Sequence, residues 1–299
     1  MGSELLAIDG GKPVRTKPFP AWPVYDDRER KALEDVLTKT SWNFFEGRTH
    51  ELLEKEFAAH HSAKYGIAVS CGTAALEISM RASGIGLGDE VIHQCYCCFA
   101  DAQGIMAINA VPIPADITPE TYCIDVDKRE KLITTRTKAI VAVHFGGNLA
   151  DMDAINRIAK KHKLLVIEDA CLSHGAEWKG KICGTLGDVG VFSFGSGKLM
   201  TAGEGGMIIT NNKKLADTCR TLRDRGRVWL DDMSSSKKSK EDGEGRFSEL
   251  FAKFDHKMLG WNYRMSEFLA GIVRVQLTRL SGPVRSRSAT ETADTFLSS

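Results

Sequence analysis

The sequence lacks the features that mark membrane and nucleic-acid-binding proteins. No apolar run approaches the roughly 18 residues needed to span a bilayer, and the opening MGSELLAIDGGKPVRT lacks the apolar core of a signal peptide. Neither charge is in excess, because 40 Lys and Arg residues stand against 39 Asp and Glu residues. Such a chain offers no broad basic surface to nucleic acid or anionic lipid. The sequence therefore predicts a cytoplasmic protein without a nucleic-acid or membrane partner.

A metal-binding cysteine pattern is also missing. CYCC at 95–98 contains one C-x-x-C pair, whereas a structural zinc site usually needs a second pair or two histidines. In a cytosolic chain of this length we expect free thiols, mostly small buried side chains beside a pocket, and no metal. The eight cysteines are Cys71, Cys95, Cys97, Cys98, Cys123, Cys171, Cys183 and Cys219.

The third absence is a complete phosphate-binding loop in FSFGSGKLMTAGEGG, residues 192–206. A P-loop needs a glycine at position 192 and Ser or Thr after the lysine, but Phe192 and Leu199 occupy those positions. The dinucleotide fingerprint fails as well, because Met200 replaces its last glycine. Lys198 is then either a solvated loop lysine or a lysine held in a pocket for nucleophilic chemistry.

Hydrophobic patterning predicts an α/β fold. At 299 residues, 42% hydrophobic and 26% charged, the chain can form one large domain, with or without an appendage. Strands are predicted at GIAVS, DEVIHQ, VPIPAD, KAIVAVHF, LLVIED, GVFSF and GMIIT. Helices are predicted at DRERKALEDVLTK, HELLEKEFAAHH, GTAALEISMRASG, FADAQGIMAINA, DMDAINRIAKKHK, KKLADTCRTLRDRG and, as an amphipathic helix, over 258–280. Apolar strands alternating with helices indicate a mostly parallel sheet covered on both faces. Residues 232–246 are predicted to form a loop.

Polar residues follow three of these strands, where parallel sheets bind ligands. Gly72 and Thr73 lie at the start of a helix. They could bind an anion, or Thr73 could simply cap the helix. Glu168 and Asp169 end an apolar strand. They could cap a following helix or pair with a cation. Lys198 follows a third strand. A phosphate site, a carboxylate for a protonated ring nitrogen and a reactive lysine together are what pyridoxal phosphate requires.

Several long segments, in order, resemble the DegT/DnrJ/EryC1/StrS aminotransferases, which are pyridoxal phosphate enzymes of fold type I. The resemblance runs from WPVYDDRERKAL to about residue 280. It is densest in VSCGTAALE, GDEVI, AVHFGGNLADMDAI, VIEDACLSHGAEWKGK, GDVGVFSF, KLMTAGEGG and LGWNYRMSEFLAG. GKLMTAGEGG and LGWNYRMSE are most similar to members that aminate keto-cyclitols.

The resemblance implies a role for each matching residue. Lys198 would bind the cofactor covalently, and Asp169 would pair with its ring nitrogen. The phosphate would be held by Gly72, Thr73 and Ser193. Asn262 would contact the phosphate of the neighbouring subunit, which implies a homodimer with shared active sites. His144 and Arg264 would lie near the substrate.

The chain departs from the family pattern in three respects. Leu172 stands where relatives usually have Gln or His against the phenolic oxygen of the cofactor. Cys98 stands where relatives usually stack an aromatic ring, so either Phe99 takes that role or the stacking is lost. Relatives continue for roughly a hundred further residues. The implied organisation is an N-terminal arm (1–25), a large cofactor-binding domain (26–280) and the start of a truncated small domain (281–299).

The activity implied by the resemblance is transamination. Glutamate or glutamine would give its amino group to the cofactor, and a keto sugar or keto-cyclitol would accept it. Lys198 would carry protons as the general acid and base. The alternative is a cofactor-binding protein without turnover, acting as a regulator or interaction partner.

Overall fold

The computed structural model describes residues 5–18, 21–39, 42–125, 130–229 and 254–280. The loop predicted at 232–246 and the segment 281–299, interpreted as the start of a small domain, lie outside the described residues. In chain order the described strands are β1 Tyr65–Val69, β2 Glu90–Gln94, β3 Val111–Ala115, β4 Thr137–Val143, β5 Leu165–Asp169, β6 Glu177–Trp178, β7 Lys181–Ile182, β8 Val189–Ser193, β9 Gly206–Thr210, β10 Arg227–Trp229 and β11 Phe254–His256.

A seven-stranded sheet contains all seven of the predicted strands. Its order is β1-β9-β8-β5-β4-β2-β3. The neighbours from β8 to β3 are parallel, and only β9 runs against the others, pairing antiparallel with both β1 and β8. The prediction of a mostly parallel sheet is therefore confirmed. The carboxyl ends of β1, β2, β4, β5 and β8 meet at one edge of this sheet.

Helices cover both faces of the sheet, as predicted. They are α1 Asp27–Thr38, α2 Thr49–His60, α3 Gly72–Ala82, α4 Ala100–Ala107, α5 Met152–His162, α6 Lys213–Arg223 and α7 Glu267–Arg279. Three of them begin at a cap formed by an Asp or Asn side chain. The carboxylates of Asp26 and Asp151 and the amide oxygen of Asn212 each accept a hydrogen bond from a backbone N–H of the first turn.

Alternation along the strands creates the two cores. In β1, Ile67 and Val69 join the cluster formed with α3, α4 and α6. Ala68 between them faces the opposite cluster, which α2 and α7 cover. Side chains of a strand point alternately to the two faces, so an uninterrupted apolar strand buries both.

The last helix is shorter than predicted. The predicted helix spans 258–280, whereas α7 begins only at Glu267. The preceding residues are extended and use their backbone groups elsewhere, because Arg264 bridges to Val69 and Asn262 bridges to Asp224. The short pairs β6–β7 and β10–β11 were not predicted. None of the helices in the described part of the chain combines the length and hydropathy of a membrane span.

Candidate functional site

The amino terminus of α3 lies against the ends of β8 and β9. A Cβ atom on Gly72 would lie 2.8 Å from Ser193 Cβ, and one on Gly206 would lie 2.5 Å from the Cys71 carbonyl oxygen. Both contacts are closer than real Cβ atoms make, so the absence of side chains is what allows the backbones to approach. The result is a cradle in which backbone N–H groups at a helix amino terminus adjoin the Ser193 hydroxyl.

The cap of α3 is Cys71, whose sulfur accepts a hydrogen bond from Ala74 N at 3.4 Å. The alternative that Thr73 merely caps the helix is therefore wrong, since Thr73 lies inside the first turn. The side chains of Thr73 and Ser193 are each half-buried. These groups suit an anion such as a phosphate, which helix amino termini bind through N–H groups and the helix dipole.

Asp169 ends β5 in the middle of the same edge. The residue is 4% exposed, and its Oδ1 accepts a hydrogen bond from Cys171 N at 2.9 Å. No helix follows β5, which rules out the alternative that Asp169 is a helix cap. A buried carboxylate at the mouth of an apolar sheet is costly unless a cation or donor meets it, and this requirement fits a protonated ring nitrogen.

Lys198 lies in the turn that follows β8. Its backbone N–H donates to Gly195 O at 3.0 Å, and its side chain is half-buried. Trp22 Nε1 donates to Ser196 O at 3.0 Å, so a residue of the N-terminal segment contacts the same turn. Lys198 is therefore partly enclosed, unlike a fully solvated loop lysine.

The Cys171 thiol connects the lysine with the aspartate. Burial raises the pKa of Cys171, and the negative charge of Asp169, to which the thiol is hydrogen-bonded, raises it further. The positive charge of Lys198 acts on the same pKa in the opposite direction. The charges of Lys198 and Asp169 thus act on one and the same thiol. Because such a thiol stays protonated, Cys171 contributes no charge of its own.

The Glu168 carboxylate is turned toward the loop 184–187. Three backbone N–H groups donate to its carboxylate, from Gly184 at 2.7 Å and from Leu186 and Gly187 at 2.6 Å. His144 Nε2 lies 2.9 Å from the same carboxylate, and both side chains are fully buried. The two acidic residues at the end of β5 thus have separate tasks. Glu168 holds the 184–187 loop by hydrogen bonds, whereas Asp169 faces the edge of the sheet.

His144 was predicted to lie near the substrate. Its backbone N–H does donate to Asp169 O at 3.0 Å, but its imidazole is 0% exposed. Both ring nitrogens are engaged, since Nδ1 accepts from Ala150 N at 3.3 Å and Nε2 meets Glu168. The ring therefore lies in the interior and supports β4 and β5 from behind the site.

The segment around Asn262 passes beside the amino terminus of α3. Ser70 N donates to Tyr263 O at 2.8 Å, and the Tyr263 hydroxyl donates to Glu77 Oε2 at 3.0 Å. Asn262 is exposed. The guanidinium of Arg264 bonds Asp224 and lies over the Phe45 ring, 5.1 Å from its centroid. Arg264 is thus held by its own chain, while Asn262 is presented to the outside.

The residues that depart from the family pattern occupy different environments. Leu172 is half-buried next to Cys171, whereas Cys98 and Phe99 are both exposed, Phe99 to 69%. Phe99 precedes the first turn of α4. Neither Cys98 nor Phe99 is buried against the protein, so the choice left open by the sequence stays open.

Three aromatic rings near the same edge were missed by sequence reasoning. Tyr96 follows β2, Phe145 follows β4, and their centroids are 4.9 Å apart, with Tyr122 completing the group. The buried Asp101 in the first turn of α4 was missed as well. An aspartate in a first helical turn is a common cap, and no sequence signal distinguishes it from a buried one.

Comparison with known proteins agrees with this geometry. The model of the DegT/DnrJ/EryC1/StrS aminotransferase family matches residues 23–296. The chain is 39% identical over 284 residues to the L-glutamine:scyllo-inosose aminotransferase of Streptomyces griseus, covering 93% of this chain and 64% of that one. Its structure resembles the crystal structure of 3-amino-5-hydroxybenzoic acid synthase, with a TM-score of 0.78 and 36% identity over 88% of this chain and 64% of the other.

A second solved structure, NtdA of Bacillus subtilis with bound cofactor PMP, matches with a TM-score of 0.70 and 32% identity over 85% of this chain and 53% of that one. The chain spans less than two thirds of the length of these relatives. The family match includes every described helix and strand from α1 to α7. The chain belongs to the DegT/DnrJ/EryC1/StrS aminotransferase family.

Proposed function

We propose that this chain is the cofactor-binding part of an aminotransferase that uses pyridoxal phosphate. The observation that carries the proposal is the convergence of three groups at one edge of the sheet. These groups are the amino terminus of α3 with Ser193, the buried carboxylate of Asp169 and the half-buried Lys198. When bound, pyridoxal phosphate supplies an aldehyde that accepts an amino group and a ring that withdraws electrons from the neighbouring carbon.

The residues fit this cofactor. The amino terminus of α3 has backbone N–H groups that can bind a phosphate, and the hydroxyls of Thr73 and Ser193 can donate to it. Asp169 would keep the ring nitrogen protonated. Lys198 Nζ would hold the cofactor covalently in the resting protein. Once released, this amine would carry the proton between neighbouring carbons as a general acid and base.

Glutamine or glutamate is the proposed amino donor, and a keto-cyclitol or related keto sugar is the proposed acceptor. The support is the similarity to the L-glutamine:scyllo-inosose aminotransferase, whose name states both partners. The same similarity favours turnover over a cofactor-binding regulator. Asn262 is exposed, as a residue that contacts the cofactor phosphate of a second subunit must be, so the proposed active unit is a homodimer.

The structure suggests a narrower role for His144 than substrate binding. Its buried ring has no exposed surface, so we propose that it orients β5 and with it Asp169. Arg264 is 14% exposed at its side chain and stays a candidate for contact with an anionic group of the substrate.

Borohydride reduction of the protein loaded with pyridoxal phosphate tests the proposal. The reduced cofactor is expected on the peptide that contains Lys198, and L-glutamine is expected to convert the bound cofactor to its amino form. Lys198→Ala should abolish the adduct, whereas Lys214→Ala, which changes an exposed lysine of α6, should leave it unchanged. An adduct retained by Lys198→Ala contradicts the assignment. Cofactor binding without conversion by any amino donor would favour the regulator.

A further inference from the structure

A cavity of about 480 Å³ is formed by the residues that enter α2, by α6 and by the turn that leads from α6 into β10. Its lining includes the rings of Phe44 and Phe45, the aliphatic side chain of Val228 and the buried residues Asp224 and Arg227. None of the residues that line it belongs to the proposed cofactor site. Its volume lies within the range of small-molecule sites, so the chemistry of the lining decides what can bind there.

Arg227 is a buried cation whose donors are unused. The residue is 9% exposed, its Nε is unpaired, and no hydrogen bond joins its guanidinium to another group among the described residues. Asp224 Oδ1 lies 3.8 Å from Nη1, which is beyond hydrogen-bond distance. The ring centroids of Phe254 and Phe45 are 4.3 Å and 5.6 Å from Arg227 Cζ. Such rings attract a cation, but they do not replace acceptors for its N–H groups.

Asp224 cannot balance the charge of Arg227, because it already serves a second arginine. Its Oδ1 accepts a hydrogen bond from the guanidinium of Arg264. Burial lowers the pKa of Arg264, and the positive charges of Arg225 and Arg227 act in the same direction, against the effect of Asp224. One buried carboxylate therefore faces at least two guanidinium groups, and one positive charge is left in excess.

The other acidic side chains near the cavity have cationic partners of their own. The pairs are Glu51 with Arg48, Asp217 with Lys213 and Arg220, Glu54 with Arg223, Glu267 with His50, and Asp255 with Lys257. Asp255 also stands opposite Val228 in the ribbon of β10 and β11, so its side chain lies on the face away from Arg227. Within the described ranges, the charge of Arg227 is thus uncompensated.

We propose that Arg227 anchors a binding site for a small organic carboxylate. A carboxylate has the planar pair of oxygens to which a guanidinium donates, and its single negative charge matches the single positive charge in excess. Phe44, Phe45 and Val228 offer the rest of the ligand an apolar wall. This wall favours an organic acid over an inorganic anion such as phosphate. The proposal makes no use of the cofactor, so it can fail or succeed independently of the proposed function.

Isothermal titration calorimetry with sodium benzoate tests the proposal, since benzoate combines a carboxylate with an apolar ring. We expect saturable binding with a dissociation constant on the order of 1 mM or below, whether or not pyridoxal phosphate is present. Arg227→Gln should lower the affinity by at least about tenfold, because the charge and the paired donors are removed. Arg227→Lys keeps the charge but not the planar donors, so its affinity should lie between the two. Arg30→Gln, which removes an exposed arginine of α1, should bind like the wild type.

Acetate and inorganic phosphate define the class of ligand. Acetate has the carboxylate without the ring, and it should bind roughly tenfold more weakly than benzoate because the apolar wall is left unused. Phosphate should also bind more weakly than benzoate. Equal affinities for the three anions would indicate a general attraction of negative charge and would overturn the assignment to an organic carboxylate. Absence of saturable benzoate binding, or its full retention by Arg227→Gln, would overturn the site itself.

Thermal melting separates a ligand site from a purely structural role of Arg227. Without ligand, Arg227→Gln should melt at the same temperature as the wild type or higher, because an unpaired buried charge is removed. Benzoate should raise the midpoint of the wild type but not that of the variant. A lower midpoint for the variant without ligand would assign Arg227 to packing against Phe254 and contradict the proposal. Arg227→Met, which keeps most of the length of the side chain, provides the same comparison should the glutamine variant fold poorly.

Discussion

Among single residues, Asp169 has the clearest expected effect on chemistry. Its carboxylate is buried and fixed by Cys171 N, so it is oriented before any ligand arrives. Asp169→Ala should retain cofactor through the phosphate cradle but lose transamination by about 100-fold or more, because electrostatic stabilisation of the protonated ring disappears. Single-turnover rates with L-glutamine measure the loss. Asp153→Ala, which removes an exposed ion pair on α5, is the control, and a near wild-type rate for Asp169→Ala would refute the role.

His61 offers a test of stability at the residue scale. Its ring stacks on Phe57 with 4.3 Å between centroids, and Nδ1 is 2.9 Å from Phe57 O. Burial lowers the pKa of His61 to about 4, so the unfolded chain binds a proton at higher pH than the folded protein does. Stability should therefore fall as pH decreases from about 6.5 to about 4, by roughly 3 kcal/mol in total.

The variant His61→Phe keeps the aromatic packing and removes the titrating group. Its free energy of unfolding should vary less with pH across that interval than that of the wild type, as measured by urea denaturation. His256→Gln alters an exposed histidine and should keep the wild-type profile. Identical slopes for His61→Phe and wild type would show that another group causes the acid sensitivity.

Between elements, the junction of β4, β5 and the 184–187 loop depends on one carboxylate. Glu168→Gln would place an NH₂ group among the N–H donors of Gly184, Leu186 and Gly187, where only acceptors fit. A buried network broken in this way typically costs about 3 kcal/mol. Chemical denaturation should show this loss for Glu168→Gln, whereas Glu177→Gln on exposed β6 should change stability by less than about 0.5 kcal/mol. Equal stabilities would mean that the loop is held by other contacts.

The elements themselves were largely predictable. Apolar runs such as LLVIED and KAIVAVHF are typical of buried strands. Asp151 marks the start of α5 because its carboxylate can cap a helix. The positions of Asp169 and Lys198 at strand ends followed from the same pattern. The start of α7 could not be predicted in this way. The residues before it form backbone hydrogen bonds with β1 and with the end of α6, and the local sequence does not reveal such long-range partners.

The side-chain partners were the least predictable part of the site. Glu168 and Asp169 are adjacent and chemically similar, and only the strand pleat decides which one turns toward loop 184–187 and which toward the site. The burial of Asp101 depends on how α4 packs on α3, and the enclosure of His144 depends on the loop that follows it. Periodicity assigns an element and a face, but it does not identify a partner 20 or more residues away.

For the whole molecule, the edge that holds the site carries aromatic surface. Tyr96 and Tyr122 are 51% and 48% exposed, and Phe99 is 69% exposed. Exposed apolar patches rimmed by polar residues are typical of protein interfaces. This surface supports the proposal that two copies of the chain meet beside the cofactor site, where the exposed Asn262 of each would serve the other.

Mixing two inactive variants tests that proposal. Lys198→Ala removes the reactive amine, and Asn262→Ala removes the contact to the phosphate of the other subunit. In a mixed dimer, the site built on the Asn262→Ala chain has its own Lys198 and receives Asn262 from its partner, so it is complete. The other site carries both defects. Random mixing makes half of the dimers mixed, so about a quarter of all sites should be active in this symmetric arrangement.

The measurement is glutamine half-reaction activity after the two variants are unfolded together and refolded, compared with each variant refolded alone. Light scattering establishes that the refolded species are dimers. If Asn262 serves its own subunit, every site in every mixture lacks one of the two groups, and mixing restores nothing. A control mixture of Lys198→Ala with Asp169→Ala should also stay inactive, because both residues belong to the same chain's site and each mixed dimer then has one defect in either site. Recovery in the first mixture alone therefore distinguishes a site shared between subunits from simple exchange of folded chains.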